Sequence, residues 1–181
     1  MKNIATVALM INLGVAGVQA QERPVKMRFS GTNVATTINL KPNTVTDEQH
    51  SAGTGTFGGF TFRELHADGA ATQRPSNCFS PPYFAVVAGA GAFTFQDGSL
   101  LIVTVVDGSG CINLAAGNAL LIIKYQVTGG TGRYLNATGG GTYDANSDYT
   151  PPTVNGALFS GFTTLTATGT VSVVPKDGKT N

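Results

Sequence analysis

Along residues 21–181, apolar and polar positions alternate in short runs, and no stretch keeps a helical period over three turns. The runs are rich in Val, Ile, Thr and aromatics and are broken by Gly, Pro, Asn and Asp, the pattern of an all-β chain. They predict strands at 25–33, 53–65, 83–88, 92–96, 100–106, 119–127, 139–143 and 156–174. The last exceeds the usual strand length and is expected to bend or bulge at Gly161 or Gly169. "QDGS" at 96–99 reads as a hairpin turn, and 68–82, with three prolines and a cysteine, as a long loop.

The alternation also assigns faces. Phe60 and Phe62 share one side of their strand, Thr61 and Arg63 the other. Leu121, Ile123, Tyr125 and Val127 face one way, opposite Leu120 and Ile122, which give way to Lys124 and Gln126. That double-sided start predicts burial on both faces, as at a subunit contact or beneath a loop. In "GALFSGFTTLTATGTVSVV" threonine recurs at nearly every other position, a solvated face. About eight sequential strands with no helix predict an antiparallel up-and-down barrel, or else a sandwich; closure removes vulnerable strand edges.

The first twenty residues stand apart from this pattern. A positive start at Met1, Lys2 and Asn3 precedes an apolar run from Ile4 to Val18, and Val18-Gln19-Ala20 supplies small residues at −3 and −1 of a cleavage site. The run is too short and interrupted for a transmembrane span. Residues 1–20 are therefore expected to be a cleaved signal peptide and 21–181 one barrel domain, secreted or periplasmic. Without Lys2, ten basic residues face ten acidic ones, none clustered, which argues against nucleic acid or an acidic membrane surface as partner. Cys78 and Cys111 are the two cysteines, and export makes one disulfide the default.

"VTGGTGRYLNATGGGTYDANSD" (127–148) is the densest glycine stretch, and a phosphate cradle is the reading to test first. Its spacing fails. No Lys follows the glycines as a Walker loop requires, and Leu135 stands where a dinucleotide loop needs its third Gly. Gly129, Gly130 and Gly132 instead read as positive-φ residues of a tight reversal, and Gly139, Gly140 and Gly141 as positions where a strand bends or approaches its neighbour.

"VTGGTGRYLNATGGGTY" resembles the signature of allene oxide cyclase-like and dirigent-like barrels, particularly their bacterial secreted relatives. "GTGTFGGFTF" (53–62) is similar to a glycine-rich segment near the start of such chains, and Gly169-Thr170-Val171 to their closing strand. The resemblance implies an eight-stranded antiparallel barrel of the calycin kind, trimeric in plant members. Plant cyclases act on an unstable epoxide in an apolar lumen, and dirigent proteins guide coupling of phenolic radicals. Neither group's catalytic constellation aligns onto this sequence.

Other constellations are weaker. His50 and His66 lie sixteen residues apart, each beside polar loop residues, with no third ligand evident, so no metal and no cofactor is expected. Asp144, Asn146 and Asp148 lack the Gly and Glu of a calcium loop and read as a polar turn. No G-x-S-x-G elbow appears. Glu64 reads either as an acid inside the barrel or as surface charge at a strand end.

Ten Phe and five Tyr remain to be placed. They either fill the barrel or line a cavity for one small apolar or phenolic ligand, with Phe60, Phe62, Phe93, Phe95, Tyr125 and Tyr143 the lumen candidates. A membrane barrel is opposed by the absence of Trp and of paired aromatic girdles. Three function classes follow: a small-molecule binder, a cyclase or isomerase using the same lumen, and a structural envelope or adhesive protein with a filled barrel.

Overall fold

The computed structural model describes residues 20–76, 78, 81–150 and 160–173. Eight strands run β1 (Gln21–Thr36), β2 (Val45–Gly55), β3 (Gly58–Ala70), β4 (Tyr83–Phe95), β5 (Leu100–Asn113), β6 (Asn118–Gly130), β7 (Thr138–Thr150) and β8 (Ser160–Val173). Each pairs antiparallel with its sequence neighbour, and β1 pairs with β8 from Gln21↔Val173 to Val34↔Ser160, closing an up-and-down barrel. A short 3-10 turn at Gly132–Tyr134 is the one helical element among the described residues, and no described helix is long and apolar enough to cross a membrane.

Alternation drives the closure. On β1, Val25, Met27 and Phe29 are buried while Lys26 and Arg28 are exposed; on β8, Leu165, Ala167 and Val171 point inward between exposed threonines. Ile123, Tyr125 and Val127 are buried on β6, while Leu120 and Ile122 are half-buried on its other face.

Several strand boundaries differ from expectation. The run 53–65 is a hairpin rather than one strand: β2 ends at Gly55, Thr56 and Phe57 turn, and β3 begins at Gly58, whose φ of 95° only glycine adopts easily. The polar segment 45–52 is strand, held by β1 and β3 on either side. The runs 83–88 and 92–96 are one strand, because Gly89 and Gly91 pair in the ladder instead of breaking it. "YDANSD" is not a turn; β7 continues through it, with Asp144, Asn146 and Asp148 on the exposed face. Residues 156–159 of the last expected strand lie outside the described residues, as do 1–19.

Alternating connections give the barrel two unlike ends. The tight turns at 56–57, 96–99 and 131–137 close one end. There Gly98, at φ 79°, lets the Phe95 carbonyl accept the Gly98 N–H at 2.9 Å, as the hairpin signal predicted. Phe57, Phe95 and Tyr134 plug this end, and the Arg133 guanidinium lies 4.9 Å from the Phe95 ring centre while donating to the Phe57 carbonyl at 2.9 Å. The connections 37–44, 71–82 and 114–117 gather at the other end. The Cys78–Cys111 disulfide, with Cα atoms 5.7 Å apart, ties the 71–82 connection to β5 there.

Candidate functional site

The interior divides along the same axis. Toward the plugged end it is packed with rings: Phe62 stacks on Phe93 at 4.3 Å, and Phe29 meets Phe60, Phe62 and Phe93 edge-on at 5.3–6.0 Å. All six lumen candidates point inward and are buried. Phe60, Phe62, Phe93 and Phe95 contact one another in this packed half, and Tyr125 stacks on Tyr143 at 6.2 Å. Of the six, Tyr143 alone reaches a cavity at the loop-bearing end.

That cavity is polar. Continuing the inward face of β3 past Phe60 and Phe62 places Glu64, His66 and Asp68 inside the barrel, and β2 contributes Asp47, Gln49 and Ser51. The β2–β3 register sets Asp47 directly opposite His66 and Gln49 opposite Glu64. Glu64 is only 3% exposed and His66 5%. Tyr143 donates its hydroxyl hydrogen bond to Glu64 Oε1, and Gln49 bonds to Ser51. His66 Nδ1 stands 3.6 Å from Glu64 Oε2; its Nε2 stands 3.7 Å from Asp68 Oδ2 and 4.0 Å from Asp47 Oδ2. None of the three is a good hydrogen bond, and His66 Nδ1 and Asp68 Oδ1 are buried without a partner. Across the cavity, Ser147 and Thr163 hydroxyls meet at 2.7 Å, and Thr163 donates to Asn33 Oδ1 at 3.0 Å. Phe84, Leu121, Leu165 and Tyr149 complete the wall. The enclosed space is about 10 Å³, room for the centre of one water.

The electrostatics are lopsided. Among the described residues of this wall are three carboxylates and one imidazole, with no Lys or Arg. Burial opposes charge on His66, but Glu64 beside Nδ1, then Asp68 and Asp47, outweigh it and lift the imidazole to about 9. Burial raises the Asp68 carboxyl to about 8, with the His66 charge opposing and Asp47 adding to the rise. Burial, reinforced by Glu64, holds the Tyr143 hydroxyl well above its ordinary value, so it stays a donor. Asp47, His66 and Asp68 each present one donor atom, all within 4.8 Å of one another.

Two expectations change here. His50 and His66 do not pair, in line with their spacing, but neither lies beside a loop: both are on strands, His50 outside against Glu48 at 2.6 Å and His66 inside. Glu64 is the acid inside the barrel, not surface charge. Asp47, Gln49, Asp68, Asn33, Ser147 and Thr163 went unrecognised in the sequence. The glycines sit in the plugged end: Gly129, Gly132 and Gly139 have φ of 146°, 59° and 136°, whereas Gly130 does not hold the expected positive φ and is needed because a side chain there would strike the Leu100 carbonyl.

No family model matches the chain, and no curated protein matches it. Among solved structures it is similar to the pterocarpan synthase dirigent protein GePTS1, at 11% identity over 84% of this chain and 86% of that one, with a TM-score of 0.42.

Proposed function

We propose that this protein is an exported barrel that binds a small hydroxylated molecule, of phenolic type, at its loop-bearing end. One observation carries the reading: the inward face of β3 turns from Phe60 and Phe62 to Glu64, His66 and Asp68 partway along the barrel, opposite Asp47 and Gln49 on β2, against the cost of burying charge. A barrel that only needed filling would continue with apolar side chains. Groups of perturbed, mutually coupled ionisable residues concentrate where ligands are handled. Tyr143, Glu64 and Gln49 offer a donor and acceptors for a hydroxyl, and Phe84, Leu121 and Tyr149 offer apolar and aromatic surface for the ring attached to it. The enclosed space takes the hydroxyl alone, so the ring occupies the mouth and displaces side chains there. Export is supported by the disulfide, the expected consequence of an oxidising compartment.

The Tyr143–Glu64 hydrogen bond favours a second reading, a cyclase or isomerase in which this pair moves a proton to or from the bound molecule. Calorimetric titration of the mature protein with phenol, catechol and 4-hydroxybenzyl alcohol tests the first reading. Saturable binding weakened by Glu64→Gln and Tyr143→Phe is expected; binding that ignores both, or none at all, overturns it. Conversion of a bound probe that Glu64→Gln abolishes while binding persists would establish the second.

A further inference from the structure

We propose that Asp47, His66 and Asp68 form a binding site for one first-row divalent metal ion, with Glu64 holding the far side of the imidazole. The spacing is the first argument. His66 Nε2 lies 3.7 Å from Asp68 Oδ2 and 4.0 Å from Asp47 Oδ2. Direct hydrogen bonds would draw these atoms to about 2.7–3.2 Å. Two donors each about 2.1 Å from a shared ion stand roughly 3.0 Å apart at a right angle and roughly 4.2 Å apart on opposite sides. Both observed gaps fall inside that window, and all three donor atoms lie within 4.8 Å of one another.

Unsatisfied groups are the second and independent argument. His66 is 5% exposed and its Nδ1 is buried with no hydrogen-bond partner, while its Nε2 faces two carboxylates at 3.7 and 4.0 Å. Asp68 Oδ1 is likewise buried with no partner. Buried polar atoms are rarely left this way unless something else satisfies them. Composition supplies the third: among the described residues of the cavity wall three carboxylates face one imidazole and no Lys or Arg, a lining that favours a cation over an anion.

The surroundings suit a ligating imidazole. Metal-bound histidines commonly give their other ring N–H to a carboxylate, and here Glu64 Oε2 faces Nδ1 at 3.6 Å while Tyr143 fixes the other Glu64 oxygen. All three ligands sit on paired strands, with Asp47 and His66 in direct register, so the site is preformed. One nitrogen and two carboxylate oxygens suit Zn²⁺ or Mn²⁺, whereas Ca²⁺ takes six to eight oxygens. Three protein ligands leave a coordination position open.

This goes beyond the small-molecule reading. Metal is titrated with no organic molecule present, and phenols are titrated in chelator, so either can fail alone. The mature protein, stripped with EDTA, is titrated with ZnCl₂ and MnCl₂ by calorimetry, with CaCl₂ as comparison. One Zn²⁺ or Mn²⁺ per chain at micromolar affinity or better is expected, without Ca²⁺ binding. Asp47→Asn, Asp68→Asn and His66→Gln, each checked for folding by circular dichroism, should weaken it at least about tenfold. His50→Gln, which alters the exposed Glu48–His50–Arg63 group, should leave it unchanged. If the inner variants do not fold, Co²⁺ bound to the native chain decides: a visible absorption band displaced by one equivalent of Zn²⁺ supports the site. Absence of saturable one-to-one binding, retention of native affinity in the inner variants, or its loss in His50→Gln overturns it.

Discussion

Phe62→Ala measures how the barrel is filled. The Phe62 ring has no exposed surface; it stacks on Phe93 at 4.3 Å and meets Phe29 and Tyr143 at 5.3 and 6.3 Å. Beneath it the chain uses glycine, and a Cβ at Gly91 would lie 2.8 Å from the ring. Every neighbour is anchored on a strand of a closed barrel, so little can collapse into the vacancy. Phe→Ala at a buried site costs about 3–5 kcal/mol, and rigid surroundings with a lost stacking contact argue for the upper half. Set against a total stability of about 5–15 kcal/mol, the variant should remain folded but unfold much earlier. A 4 kcal/mol loss corresponds to roughly 8–16 °C in Tm for a domain of this size. Urea unfolding with the disulfide intact, followed by circular dichroism and tyrosine fluorescence, gives the difference if both probes coincide. A loss below about 1 kcal/mol at unchanged m would refute the reasoning. It would mean space around the ring that water or neighbours already use, and the aromatic half would then be a lumen.

Gly132 and Gly98 both hold positive φ, but a Cβ at Gly132 would strike Ser99 Oγ whereas none lies within 4 Å at Gly98. Gly98→Ala should therefore cost the backbone strain of about 1–2 kcal/mol, and Gly132→Ala measurably more in the same urea melts; equal losses would count against the clash. Tyr143→Phe leaves Glu64 Oε1 without its donor and should cost about 1–3 kcal/mol, with a double-mutant cycle against Glu64→Gln showing coupling. Replacing Cys78 and Cys111 by Ser should lose about 4 kcal/mol for a closed segment of 33 residues, and thiol titration of the unfolded, unreduced native chain should find none free. Edman sequencing of the exported protein should begin at Gln21; an intact Met1 would remove the signal-peptide reading.

Closure was legible because apolar residues alternate on most strands, and the packed half because Phe60, Phe62, Phe93 and Phe95 fall on inward positions. The site was hidden by the same rule. Apolar alternation identifies a strand only while its inward positions are apolar, and on β2 those positions are Asp47, Gln49 and Ser51. The segment 45–52 therefore carries no apolar strand signal, and merging Gly53 with the strand after it conceals the turn at Thr56 and Phe57. That turn sets the register of the candidate site. A two-residue hairpin pairing Gly55 with Gly58 fixes every later pair, Ser51 with Phe62, Gln49 with Glu64 and Asp47 with His66. Extending the Phe60–Phe62 face by two and then four residues gives Glu64 and His66 at once, yet ionisable residues on an inward face contradict the expectation of an apolar interior. Local rules tend to fail where function has displaced stability. Two glycines flanking a two-residue turn, followed by a face that changes from phenylalanine to glutamate and histidine, were the signal that the sequence did carry.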